Sequence, residues 1–297
     1  MIAVLARQGC SYLRWFVVAV VVVMNLPVQA QFYAPTIEDL RRYEQQLLDT
    51  SRLEVRYSYR VRRNPADPKD TLIDQQQLLL GGAVAWYRSR NLADYDSLCT
   101  DNVVRGRDWC QSVPRGASGE WVYRGYPKAG KSTVTLRLSD SDFLQYAEDI
   151  PVQQWLLHPD VRQIAGHPCQ RATCLFRGRE WTAWYATDLP VPEGPWKLRG
   201  LPGLIMLAHD KNHEHEWCCT GISSRPQLII WYDMEWDRTT RPKMRELITW
   251  VARSPITYLC DRAGDRGVYI GRTKITPAEA GKYDERYSSV YNSIELE

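Results

Sequence analysis

From Leu53 to Val61 the chain alternates without a break, with Leu53, Val55, Tyr57, Tyr59 and Val61 on one side and Glu54, Arg56, Ser58 and Arg60 on the other. A period of two is the signature of a half-buried strand, because successive side chains leave opposite faces of the pleat. The period returns at Ser132–Leu138, which sets Val134, Leu136 and Leu138 on one face. Thr71–Leu80 and Glu120–Arg124 read as further strands. Arg171–Tyr185 reads as a hairpin turning at Arg177-Gly178-Arg179, and Leu204–Ala208 and Gln227–Tyr232 as short apolar strands. Pro65 and Pro68 mark a turn, and residues 91–118 are polar and read as loop. Helical spacing is found in two places. One is Thr36–Thr50, with Thr36 as cap and Ile37, Leu40, Leu47 and Leu48 as a partial stripe; the other is Thr240–Arg253, with Pro242 in its first turn. The expected fold is mainly β: a single antiparallel β domain with two or three helices, either a curved sheet like a half-open barrel or a sandwich.

The first thirty residues have a different design. Arg7 and Arg14 precede an apolar run from Trp15 to Leu26, and Val28-Gln29-Ala30 ends on the small residues that a signal peptidase reads. That run of about twelve residues falls short of the roughly twenty needed to span a bilayer. The chain therefore divides into a cleavable signal peptide, residues 1–30, and a β-rich domain, residues 31–297, with Gln31 as the first mature residue. Cys10 precedes the apolar core, so it is not the lipid-bearing residue of a lipoprotein. No later stretch is apolar for ~20 residues, so no transmembrane segment is expected after cleavage. The expected location is the periplasm, the cell surface or the medium.

Charge narrows the partners. The chain carries 38 basic and 35 acidic residues; without residues 1–30, which hold Arg7 and Arg14 and no acid, 36 and 35 remain. Such a balance gives no reason to expect nucleic acid or an anionic membrane. Tyr and Trp outnumber Phe by 17 and 12 to 4, an excess that suits pleated, half-buried surfaces. In a β protein these rings belong mainly to the core, and a groove for a glycan or an apolar ligand is the alternative. Seven of the eight cysteines lie beyond residue 30, and an oxidising compartment makes disulfides the default. Cys99 and Cys110 flank a Gly-containing loop and are the easiest pair to close. Cys169 and Cys174, on one strand, would face opposite sides and not bridge each other.

Few residues offer chemistry. Gly125-Tyr126-Pro127-Lys128-Ala129-Gly130-Lys131-Ser132 spells a phosphate-binding loop, but that site needs a helix next, and Thr133–Leu138 alternates like a strand. The segment is read as a hairpin turn. His209, His213 and His215, followed by Cys218 and Cys219, are the densest set of metal-ligand types, suited to zinc or copper. His213 and His215 would share a face of an extended segment, and a hairpin would bring His209 opposite them. The plainer reading is a polar hairpin loop, with the histidines fanned into solvent and Cys218 and Cys219 in separate disulfides. No G-x-S-x-G string occurs, and Asp140, Asp142, Glu148 and Asp149 read as solvated turn residues rather than acid and base.

One string is specific. Gly200-Leu201-Pro202-Gly203-Leu204-Ile205 is accompanied upstream by Ile164-Ala165-Gly166, Cys169-Gln170 and Gly178-Arg179 with Ala183-Trp184-Tyr185. Leu189-Pro190, Gly194-Pro195-Trp196-Lys197 and Asp210 flank it, and Tyr126-Pro127, Thr240-Arg241 and Tyr291-Asn292-Ser293-Ile294-Glu295-Leu296 extend the pattern. In these features the chain closely resembles the GLPGLI family of exported proteins of Bacteroidetes-type bacteria. The resemblance implies export and no reaction, and it carries over no catalytic residue or cofactor. Physically, Leu201-Pro202-Gly203 suits a type II turn with Gly203 at positive φ, while Gly200 permits close backbone approach. The leading reading is a non-enzymatic binding or scaffold protein of the periplasm or cell surface, with a cell-envelope protein, an apolar ligand or a glycan as partner. The alternative is a metal-handling protein built on the His209–Cys219 cluster.

Overall fold

The structure of the chain is a computed structural model; it describes residues 40–107, 116–138, 142–263, 268–270 and 273–297. The expected signal peptide, residues 36–39 of the expected first helix, and Cys110 lie outside the described residues. The backbone clusters into two compact units. The larger holds β1 (Glu44–Thr50), β2 (Leu53–Arg62), β3 (Thr71–Leu80), β4 (Ala85–Ser89), α1 (Arg90–Val104), β5 (Glu120–Arg124), β6 (Lys131–Arg137) and β7 (Phe143–Asp149). It continues with β8 (Leu156–Ile164), β9 (His167–Phe176), β10 (Arg179–Ala186), β11 (Ile205–Asp210), β12 (His215–Ser223), β13 (Leu228–Asp233), β14 (Asp237–Arg238) and α2 (Arg241–Arg253), and ends with residues 289–297. The smaller, Ser254–Ser288, holds α3 (Pro255–Ala263), β15 (Val268–Ile270), β16 (Thr273–Ile275) and α4 (Pro277–Tyr287).

The class is mainly β. Twelve strands form one sheet in the order β14-β7-β6-β5-β4-β3-β2-β12-β11-β10-β9-β8, antiparallel throughout except for the short β14–β7 pair. The sheet does not close on itself. Its edge at β8 contains Pro159 and a register shift between Leu157 and Val161, two devices that blunt a free edge against further pairing. β1 and β13 form a separate antiparallel pair. Among the described residues no helix is long and apolar enough to cross a membrane.

Both faces of the sheet are largely buried over β4–β6, for different reasons. On the outer face Leu79, Trp86, Trp121, Tyr123 and Phe143 pack against Ile229, Trp231, Tyr232, Met234 and Trp236 from β13 and the segment after it. Trp86 stacks on Tyr123 at 5.2 Å and meets Trp121 edge-on at 5.6 Å. Such ring pairs are worth about 0.5–1.5 kcal/mol each beyond the area they bury. On the inner face lie Val55, Tyr57, Tyr87, Val122 and Val134, all fully or nearly fully buried. The Trp and Tyr excess is thus largely core.

Two expected elements come out differently. Residues 44–50 are a strand, not the end of a helix; only Leu40–Arg42 forms a short 3-10 turn. β13 offers a free row of backbone groups, and β1 pairs with it from Glu44↔Asp233 to Thr50↔Leu228. Asp49 fixes the end of β1 by accepting from the amides of Ala83 and Val84 at 2.7 and 3.0 Å. Partial helical spacing yields to this tertiary pairing. The second is α1, which lies in the segment expected to be loop. Ser89 caps it by accepting from the Leu92 amide at 3.1 Å, and Leu92, Tyr95 and Cys99 bury one stripe. Its polarity misleads because the polar groups are used inside the protein: Asp96 forms a buried ion pair with Arg137 at 2.9 Å.

The other expected strands and the second helix lie where the sequence places them, whereas Asp142 is buried and Glu148 pairs with Lys197 from within β7 instead of being solvated turn residues, and four α-helices stand among the described residues where two or three were expected. β2, β3 and β5 lie where the alternation placed them, and α2 matches the second helical pattern. The β9–β10 hairpin turns at Arg177 and Gly178, which take positive φ of 52° and 73°. The Gly125–Ser132 string is a turn leading into β6, a strand rather than the helix that a phosphate site requires.

Candidate functional site

The inner face carries a cavity of about 170 Å³ between β2–β6, β12, α2 and the chain segment 290–294. Its aromatic wall is Tyr59, Tyr87, Trp196 and Trp217, and Leu136 and Ile248 add apolar surface. Inward positions of the strands supply Tyr59 and Trp217, which face each other across the β2–β12 ladder and stack at 4.7 Å. Trp217 donates through Nε1 to Tyr87 Oη at 2.8 Å and Gln76 Oε1 at 3.0 Å.

Trp196 arrives from the proline-rich loop 187–203, which sequence reading treats as constrained. The loop residue takes φ of 51°, an unusual conformation for a large side chain. Arg124 holds it by donating to the carbonyls of Trp196 and Gly194 at 3.2 and 3.1 Å. The Trp196 ring then lies parallel to Trp217, 7° apart in plane and 6.3 Å between centroids, and its Nε1 donates to Glu120 at 3.2 Å.

The string Gly200–Ile205 closes that loop. Leu201, Leu204, Ile205 and Met206 are buried, and Tyr57 donates to the Ile205 carbonyl at 2.8 Å. Its two glycines exchange the roles expected of them. Gly200 has φ of +88° with no neighbour near its missing β-carbon, whereas Gly203 lies against the Ala186 carbonyl and has no positive φ. The left-handed residue therefore starts the turn, and the close approach ends it.

A buried ionic network seals the far side. Lys197, fully buried, reaches Glu295 at 2.6 Å, Glu148 at 2.8 Å and Tyr146 Oη at 2.7 Å. Arg245 pairs with Glu120 at 2.8 Å and with Glu295 at 3.2 Å. Burial alone would raise the Glu295 carboxyl, but Arg245 and Lys197 outweigh it and hold it down at about 2. Asp74 behaves oppositely: burial raises it to about 6 against hydrogen bonds from Gln76, Ser89, Asn91 and the Ser118 amide. Arg179 joins Asp210 and Glu214 at 2.9 and 2.8 Å and binds Asn292, tying residues 289–297 to the sheet.

The three histidines divide. His209 faces Glu216 across the β11–β12 ladder, so His215, one residue earlier on β12, points to the opposite, inner face. His209 and His213 stack at 3.8 Å on the outer face, with His213 Nδ1 2.8 Å from Glu216. His215 is buried in the cavity wall, its Nδ1 2.7 Å from Tyr59 Oη. Burial, then the nearby Arg179 charge, pushes the His215 imidazole well below its usual range, against hydrogen bonds with the Asn292 side chain and the Ser293 backbone. The loop is thus neither fanned into solvent nor a three-histidine cluster, and among the described residues no group of three His, Cys, Asp or Glu is placed to hold a metal ion. Cys218 and Cys219 carry free thiols, as do Cys169, Cys174 and Cys260, in place of the disulfides expected of the first two. Their strand sends Cys218 outward beside Leu207 and Cys219 inward beside Tyr57.

Sequence reading did not single out Glu120, Arg245 or Asp74, because an isolated charge carries no period. Lys197, Asn292 and Glu295 stand within the strings that support the family resemblance, and that was the available signal.

No curated protein matches the chain. Among solved structures, two chains described as PNGF-II, crystallised in space groups P21 and C2, are similar at 14% and 13% identity with TM-scores of 0.45 and 0.44. Each comparison covers 69% of this chain, and 34% and 33% of the PNGF-II chains. The chain thus spans about a third of the length of these structures. By sequence, residues 175–207, from the end of β9 through β10 and the loop into β11, match a family described as a protein of unknown function (Porph_ging).

Proposed function

We propose that this chain is an exported binding protein of the cell envelope, of the GLPGLI type, whose inner-face cavity holds a small ligand. One observation carries the reading: a half-open pocket of about 170 Å³ lies in an otherwise densely filled aromatic face. A concave pocket lined mainly by rings, with a few polar groups among them, is the usual form of a small-molecule site. The groups that would perform acid–base chemistry are already engaged with each other, His215 with Tyr59 and Glu120 with Arg245. This favours binding over catalysis. Export rests on Arg7, Arg14, the Trp15–Leu26 run and Ala30.

The test is titration of residues 31–297 with toluene, followed by the fluorescence of Trp196 and Trp217. Saturable one-to-one binding that Leu136→Trp abolishes supports the proposal. Toluene binding that is absent, or unchanged by the filled cavity, refutes it.

A further inference from the structure

The outer face of the sheet carries a pair of side chains that has no part in the inner-face pocket. His209 on β11 and His213 on the turn into β12 stack with ring centroids 3.8 Å apart and planes 15° apart. Each ring is steered through the same nitrogen. His209 Nδ1 lies 2.9 Å from the Asp210 carbonyl oxygen, which only accepts, so Nδ1 is the donor. His213 Nδ1 lies 2.8 Å from Oε2 of Glu216, a carboxylate oxygen that also accepts from Arg60 at 3.2 Å. In the neutral rings both protons therefore sit on Nδ1, and both Nε2 atoms carry the lone pair. Among the described residues neither Nε2 has a hydrogen-bond partner. A metal-ligating histidine is prepared in this way: its far nitrogen donates to a carbonyl or carboxylate, which fixes tautomer and ring plane and leaves the near nitrogen to the ion. Stacking sets the two rings side by side, and His213 is half-exposed on its turn, so it can tilt towards a shared ion. His209 also lines a shallow depression with Thr173, Thr182 and Glu180, which leaves room for water beside it.

We infer that His209 and His213 form an outer-face site for one divalent transition ion, held through the two Nε2 atoms with water in the remaining positions. Copper(II) is the ion it takes most strongly, because imidazole suits it and the divalent series peaks there. Among the described residues no third His, Cys, Asp or Glu is placed to join the pair, so the site is open and its affinity modest. Glu216 is a positioning residue that acts through His213.

The test is titration of residues 31–297, free of any affinity tag, with copper(II), followed by electron paramagnetic resonance. Saturable binding of one ion per chain, with hyperfine structure from two nitrogens, is expected. His209→Gln and His213→Asn should each remove the two-nitrogen signal; asparagine accepts the positive φ of 53° at position 213. Glu216→Ala, which leaves both ligands in place, should weaken binding about tenfold, the usual cost of losing such a partner. Cys218→Ser removes the thiol that β12 sends to the same face and should change nothing. Should the histidine variants fail to fold, the unaltered protein still decides: copper must broaden the NMR signals of the His209 and His213 rings before those of His158, His167 and His215. Binding that is absent, shows no pair of nitrogens, survives either histidine substitution or disappears in Cys218→Ser overturns the inference. None of these outcomes touches the reading of the inner-face pocket.

Discussion

Gly203 sits so close to Ala186 that a β-carbon on the glycine would lie 1.8 Å from the alanine carbonyl oxygen. The contact follows from the ladder itself, since the Ala186 amide donates to the Leu204 carbonyl at 2.8 Å and draws the two backbones together. Gly203→Ala must therefore push β10 and the loop apart, at a cost of about 3 kcal/mol. Gly200→Ala meets no atom and suffers only the left-handed φ, about 1 kcal/mol. Urea midpoints of the two variants should fall in that order; equal losses would mean that conformation, not contact, governs both sites.

The acid behaviour follows from two buried carboxyls of opposite sign. Asp74 is raised to about 6 from 3.8, so its contribution to stability is full below pH 3.8 and is lost as pH rises through 6. Glu295 is lowered to about 2 from 4.5, so its contribution is present above pH 4.5 and disappears as pH falls through 2. Stability should thus fall by up to about 3 kcal/mol from the Asp74 group between pH 4 and 6, and Asp74→Asn should flatten that limb. Denaturation at constant ionic strength across pH 3–7 measures it. A limb unchanged in Asp74→Asn would assign the titration to another group.

Removing one partner of the sealed network should be more damaging than changing pH. Glu295→Gln removes the carboxylate that Lys197 and Arg245 share, leaving Lys197 with Glu148 and Arg245 with Glu120, at a cost of about 3 kcal/mol. Thermal unfolding of the variant decides this; a change below about 1 kcal/mol would place the network in the class of weak surface pairs.

Zinc and copper should separate the histidines. Any site on the outer face would use His209 and His213, whose rings stack at 3.8 Å, without His215. Calorimetric titration is expected to show weak binding that His213→Ala removes and His215→Ala leaves alone. Tight binding that depends on all three residues would restore the three-histidine metal centre.

The mature chain should begin at Gln31 without added lipid, because Val28-Gln29-Ala30 follows a short apolar run and no cysteine stands at the junction. Intact mass of the protein recovered from the cell envelope is the measurement. Retention of residues 1–30, or an acyl increment, would contradict the expected processing.

What the sequence determined by itself was everything that repeats along the chain. Alternation in Leu53–Val61 and Ser132–Leu138 marked β2 and β6, and the spacing of Met244, Leu247, Ile248 and Val251 marked α2, because period is a local property that packing then exploits. Gly and Pro in Gly200–Ile205 marked a turn with a buried exit, although the tertiary contact with Ala186 decided which glycine did what. Single polar residues had no such signal. Asp96 looked like a loop residue until Arg137 was placed beside it, and His215 looked like a neighbour of His213 until the pleat of β12 turned it inward to Tyr59. Pairings of this kind join residues far apart in the chain, 156 positions in the case of Tyr59 and His215. Only the folded sheet brings such residues within hydrogen-bond range, so the cavity and its ionic seal belong to the tertiary structure.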